Sequence, residues 1–264
     1  MNELMYDHSS ISIVGLLFVI LIAATELGYR LGLRFQTTTA DATKSQINTI
    51  QGSLLGVLAL LLGFTFSLAL QRFDSRSEAV IGEANAIGTA LLRASLLPDS
   101  VKDESRELLR EYLDQRVRAG AIPLNRAQER DAVLRESDRI LDALWSNAEL
   151  AAAEDGSPVT TGLFVQALNE MIDAYGTRDA ALARHVPEPV LLLMFMAFVL
   201  TACLVGYGAG ISGRRASIPT YILVTLVTFL VFIVIDLDRP RRGLIEVSQQ
   251  SLIDLQADGQ TRND

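Results

Sequence analysis

The chain has 264 residues, is 50% hydrophobic and has a positive mean hydropathy, a poor fit to a single soluble domain. A formal net charge of -8 without a clustered basic face argues against nucleic acid as a partner. The one cysteine, Cys203, lies inside an apolar block, which excludes an internal disulfide and any cysteine-based metal cluster.

The apolar residues gather in four blocks of 18 or 19 residues: Ile11 to Tyr29, Gly52 to Leu70, Val190 to Tyr207 and Ile218 to Ile235. As helices, at a rise of about 1.5 Å per residue, each nearly covers the ~30 Å of a hydrocarbon core. Four membrane spans are therefore expected, with the lipid bilayer as a partner. The first block lacks a basic flank, since residues 1–10 hold no Lys or Arg, and it is longer than a usual signal core. It is expected to stay in the mature chain. The link from Leu31 to Gln51, rich in Thr, Ser and Asn, is expected to turn between the first two spans.

Residues 71–189 carry 21 acidic and 14 basic side chains, nearly the whole excess of acid, and form a hydrated insert. Helical periodicity runs through Val80, Ala84, Ile87, Leu91 and Leu92 up to Pro98. A second helix carries Val101, Leu108, Tyr112 and Leu113 and closes at Gly120. A third carries Leu134, Ile140, Leu141, Leu144 and Trp145 before the break at Asp155-Gly156-Ser157-Pro158. A fourth, with Leu163, Phe164, Leu168, Met171, Ile172 and Tyr175, runs toward Pro187 and Pro189. After the third span, Gly206 to Gly213 reads as a turn on the side of the membrane opposite the insert. Beyond Ile235 comes a tail with an apolar stripe at Leu244, Ile245, Ser248, Leu252 and Leu255, and residues 257–264 are expected to lack fixed structure.

The expected fold is all-α, with four transmembrane helices and a helical domain inserted between spans 2 and 3. Its parts are residues 1–70, 71–189, 190–235 and 236–264. With the insert inside, seven arginines flank the membrane on that side against five Lys or Arg on the other, which leans toward a cytoplasmic insert and cytoplasmic termini.

The second span holds the most informative pattern. Gly52 and Gly56 form a small-xxx-small pair, and Leu60 and Phe64 continue the same i to i+4 ladder, with Ser53, Ser67 and Gln71 nearby. Two readings fit: helix packing within the chain, or a pore-lining helix narrowed by Leu60 and Phe64, where a hydrophobic ring gates by dewetting. Periodicity alone does not separate them. Arg72, Asp74 and Arg76, at the end of this span, read as a water-facing collar or as an electrostatic vestibule. Glu26 and Arg30, one turn apart, read as an interfacial ion pair.

After the fourth span, Asp236 and Asp238 could supply half of a cation-binding or gating site, since hard cations want several oxygens. The competing reading has them capping the next turn or pairing with Arg239, Arg241 and Arg242. His8 and His185 lack metal-ligand spacing, no metal or cofactor is indicated, and no nucleophile elbow or phosphate loop is present. An enzyme is not expected.

Gly63-Phe64, followed after seven residues by Arg72-Phe73, resembles the second transmembrane helix of bestrophins, where a Gly-Phe pair is followed at that distance by Arg-Trp. The segment Asp236 to Gly243 resembles a degraded form of the acidic, Asn-Pro-Phe-Gly segment after the last bestrophin span. Glu83 to Thr89 and Asp236 to Leu244 are similar to segments of a bacterial bestrophin-like family, a likeness that covers most of the chain. The resemblance implies a homopentameric ion channel of the bacterial inner membrane, with the second helix around a central pore and a small ion as its cargo. It assigns the neck to Gly56, Leu60 and Phe64; on such a helix Ser53 and Ser67 fit a pore lining, and Gln71 and Arg72, at the start of the run to Arg76, fit its inner mouth. Gly56 stands where a bulky residue is expected, Leu60 replaces an aromatic and Phe73 replaces Trp. The acidic run that contributes to calcium binding in animal members is reduced to Asp236 and Asp238. Ion sign stays open, because animal members conduct anions and a bacterial one passes cations. The rival reading is a dimeric membrane sensor or scaffold whose helical insert binds a ligand or partner.

Overall fold

The structure is a computed structural model that describes residues 9–37, 40–122, 126–213, 215, 218–239 and 243–261. Eight α-helices follow in order among these residues: α1 (Ser10–Arg34), α2 (Asp41–Arg93), α3 (Asp99–Ala121), α4 (Ala127–Glu154), α5 (Thr161–Ala183), α6 (Glu188–Ile211), α7 (Ile218–Asp238) and α8 (Gln250–Thr261). The fold is all-α. Four helical stretches, containing α1, α2, α6 and α7, are long and apolar enough to cross a membrane. The chain divides into two compact units, residues 1–72 with 185–245, and residues 73–184 with 246–264.

In the first unit α1 packs chiefly on α6 and secondarily on α7. Its inward residues, Val14, Leu17, Leu21, Ala24 and Gly28, recur at threes and fours. Ser9 caps the helix by accepting from the Ser12 N–H at 3.1 Å. The link between the first two spans is shorter than expected, because α2 already starts at Asp41. Residues 41–51 contain no glycine or proline. The hydroxyls of Thr49 and Ser53 donate to the carbonyls of Ser45 and Thr49, at 3.1 and 3.0 Å, so they bond within the helix rather than compete with it.

The stretch from Gly206 is likewise helix up to Ile211 rather than turn. Its end comes at Gly213, whose φ of +66° is the left-handed conformation that a helix terminus commonly takes. Glycines inside α6 serve packing instead, since Gly206 and Gly210 lie against the α1 backbone at Thr25 and Tyr29, and Gly28 and Gly32 lie against Cys203 and Tyr207 of α6. Two small-xxx-small pairs thus cross face to face, letting the backbones approach closely.

The second unit is built on Ile87, Leu109, Tyr112, Leu144, Phe164, Leu168 and Met171, all fully buried. Leu252 of α8 is buried with them, so the tail contributes to this core. α8 extends through residues 257–261, against the expectation that they lack fixed structure; residues 262–264 lie outside the described residues. Leu92 and Trp145, expected inside, are exposed. Each directly follows a leucine that takes the inward position, and consecutive helical residues lie 100° apart.

Candidate functional site

Helix α2 spans 53 residues without interruption, about 80 Å at the standard rise, so the second span and the first helix of the insert are one element. Within the first unit its two sides differ. Leu58, Leu62, Thr65 and Ala69 are buried, and the Thr65 hydroxyl donates to the Leu61 carbonyl at 2.8 Å. Gln51 anchors the start of the span by donating from Nε2 to the Leu204 carbonyl of α6 at 2.7 Å.

The other side carries the candidate residues. Ser53, Gly56, Leu60, Phe64, Ser67 and Gln71 are all exposed, with Leu60 at 60% and Phe64 at 62%. The space around Gly52, Gly56 and Gly63 is open to at least 4 Å, so these glycines pack against no other helix among the described residues. Of the two readings of this stripe, packing within the chain therefore lacks support. Arg72 lies half-buried beside this face.

The charged run after the span does not form a uniform collar. Asp74 is exposed, but Arg76 is 2% exposed and turned inward, donating to the carbonyls of Ala181 at 3.3 Å and Arg184 at 2.6 Å. These are the ends of α5 carbonyls that a helix C-terminus leaves open, which is why a cation is stable there. The Glu26–Arg30 pair forms as expected, with Arg30 Nε 2.8 Å from Glu26 Oε1.

Asp236 and Asp238 are both buried, and their carboxylates hold backbone. Asp236 accepts from the N–H groups of Leu244 and Ile245 at 2.8 and 2.9 Å, and lies so close to Gly243 that a side chain there would collide with it. Asp238 accepts from the Val186 N–H at 2.9 Å, and His185 Nδ1 is 3.1 Å from the Asp238 carbonyl. Asp236 thus holds the segment that follows it, as the capping reading expects, whereas Asp238 holds the backbone just before α6. Arg239 reaches Ser10 at 3.4 Å, while Arg241 and Arg242 lie outside the described residues.

The second unit holds a charge cluster that sequence reasoning missed. Glu83 of α2 is fully buried and accepts from Arg116 of α3 at 2.6 Å and from Arg178 of α5. Arg178 also donates to Gln249 at 2.6 Å, and the Arg116 guanidinium lies 4.5 Å from the Tyr175 ring centre. Burial lowers the Arg178 pKa, opposed by the Glu83 charge, and burial raises that of the neighbouring Tyr112 phenol. One carboxylate thus ties three helices to the segment that leads into α8.

An all-α chain with four membrane-length helices and an amphipathic helical insert defines a class of multi-span membrane proteins. The bestrophin-like domain model matches residues 16–252, and the chain belongs to the bestrophin-like family. Two crystal structures of a bacterial bestrophin homologue from Klebsiella pneumoniae, each a point mutant, share the fold. One aligns at TM-score 0.65 and 14% identity over 95% of this chain and 99% of that one. The other aligns at TM-score 0.59 and 17% identity over 94% and 100%. No curated protein matches the chain in sequence.

Proposed function

We propose that the protein is a homopentameric ion channel in which five copies of α2 line a central water path. Gly56, Leu60 and Phe64 form its neck, Ser53 and Ser67 its wall, and Gln71 and Arg72 its inner mouth. The observation that carries this reading is the open face of α2. A helix meeting lipid gains from bulky apolar groups throughout, whereas this face offers three glycines, two serines and a glutamine among Leu60, Phe64 and Leu70, with Val57 at its edge. Membership of the bestrophin-like family supports the same reading. The role is conduction rather than catalysis. Asp236 and Asp238 act as structural ties, so conduction proceeds without calcium at that position. The membrane is the bacterial inner membrane, with the insert and both termini in the cytoplasm.

The test is a bilayer recording of the Leu60→Ala/Phe64→Ala double variant. Widening the neck is expected to raise open-state conductance several-fold; unchanged conductance and selectivity would remove both residues from the path. Native mass spectrometry of the detergent-extracted protein is expected to give five copies. A stable dimer leaves α2 no symmetric axis to surround and returns the sensor reading.

A further inference from the structure

Two clefts in the first unit lie along one seam between α2, α6 and α7. The polar one has a volume of about 630 Å³ and is lined by Lys44, Asn48, Gln51, Ser212 and Arg215, with the Gln51 side chain lying over Gly208. The apolar one is a narrow crevice of about 50 Å³, lined by Leu55, Leu58, Phe198, Leu223, Val224 and Val227 among others. Val205 and Thr220 line both, so the two clefts adjoin.

The helical periods show why. On α2 the lining steps from Lys44 through Asn48 and Gln51 to Leu55 and Leu58, one face that changes from cationic to apolar within about 21 Å. On α7 it steps from Thr220 to Leu223, Val224 and Val227. The apolar part falls inside the second and fourth hydrophobic blocks, at hydrocarbon depth, while Lys44 and Arg215 fall outside them, at the level of headgroups. No acidic side chain among the described residues lines either part, and Arg215 makes no ion pair among them. The N-terminal ends of α2 and α7 both lie near the polar part, which favours a negative charge, against one C-terminal end from α6.

We infer that this seam binds one anionic glycerophospholipid, its phosphate held between Lys44 and Arg215 and an acyl chain laid in the crevice beside Leu55, Leu58 and Leu223. A free phosphate would use only the polar cleft and leave the apolar crevice empty; a cationic cleft set directly beside an apolar one fits an amphiphile. The cationic rim selects an anionic headgroup over a zwitterionic one. The inference needs only the membrane spans and is independent of conduction.

The experiment is native mass spectrometry of the full chain purified with equal amounts of phosphatidylglycerol and phosphatidylcholine. About one phosphatidylglycerol per chain is expected to stay bound, with a preference on the order of tenfold over phosphatidylcholine. Lys44→Gln/Arg215→Gln, at a half-buried and an exposed position, is expected to abolish the preference, and Leu223→Trp, which fills the crevice, to lower retention of both lipids. An excess of glycerol 3-phosphate is expected to leave the lipid in place. Equal retention of the two lipids by the unsubstituted protein, a preference that survives the double substitution, or release by glycerol 3-phosphate would each overturn the assignment. The unfolding temperatures of the variants, measured in parallel, are expected to match the parent's. If Leu223→Trp alone fails to fold, the double variant still decides.

Discussion

Glu83 balances two arginines in a dry core, and its value lies in what its removal leaves behind. Burying an ion pair is costly, but deleting one partner strands the other charge, at about 3–5 kcal/mol. Glu83→Gln strands two, so its unfolding midpoint is expected to fall sharply in thermal or denaturant melts of the purified protein, whereas Asp74→Asn, on the exposed side of the same helix, is expected to leave it unchanged. Tyr112 sits beside this cluster with a buried hydroxyl that has no hydrogen-bond partner among the described residues. Burial raises its folded pKa, so the folded state resists ionisation that the unfolded chain undergoes near pH 10. The stability this contributes is complete below pH 10 and is lost as the pH climbs above it. Tyr112→Phe, which removes the ionisable group, is expected to lose less stability between pH 9 and about 11 than the parent does. An equal loss in both would show that the phenol is not the titrating group.

At the scale of elements, glycine does two opposite jobs in this protein. In α1 and α6 it admits a neighbouring backbone, and in α2 it faces open space. Gly206→Leu is therefore expected to cost on the order of 3 kcal/mol or more, read as lost folded yield and a lower melting temperature, because no rotamer moves the α1 carbonyl of Thr25 out of the way. Gly56→Leu is expected to leave the unfolding temperature nearly unchanged and to lower conductance. The contrast explains what the sequence made legible. Four unbroken apolar runs mark the spans, and Pro98, Gly120, the 155–158 break and Pro187 mark the helices of the insert, because these signals are local. The glycines of α6 read equally well as a turn or as a contact until Gly28 and Gly32 are known to lie opposite. The inward turn of Arg76 and the Glu83 cluster were hidden for a related reason: periodicity sorts apolar from charged, and a charge paired across three helices looks the same as one in water. Of the candidate pore residues, Ser53, Gly56, Leu60, Phe64, Ser67 and Gln71 could be grouped in advance because steps of three and four put them on one side of a helix.

For the whole molecule, the side of the membrane on which the insert resides separates a channel with an intracellular vestibule from a receptor with an external sensing domain. Charge gives only seven basic residues against five, a small bias for a rule that counts positive residues near span ends. Chemical labelling decides it. Cys203 is partly accessible within α6, so Cys203→Ser supplies the background, its neighbour Gly28 contacting the backbone at that position and not the thiol. Ser146→Cys places a reporter on the exposed side of α4, and Thr37→Cys places one just beyond the end of α1, on the opposite side of the membrane from the insert in the four-span arrangement. In intact bacteria a membrane-impermeant maleimide is expected to label Thr37→Cys at once, and Ser146→Cys only after the inner membrane is permeabilised. The reverse pattern would put residues 71–189 outside the cell, where an inner mouth at Gln71 and Arg72 has no meaning. It would leave the open face of α2 to be explained by pairing between two copies of a sensor.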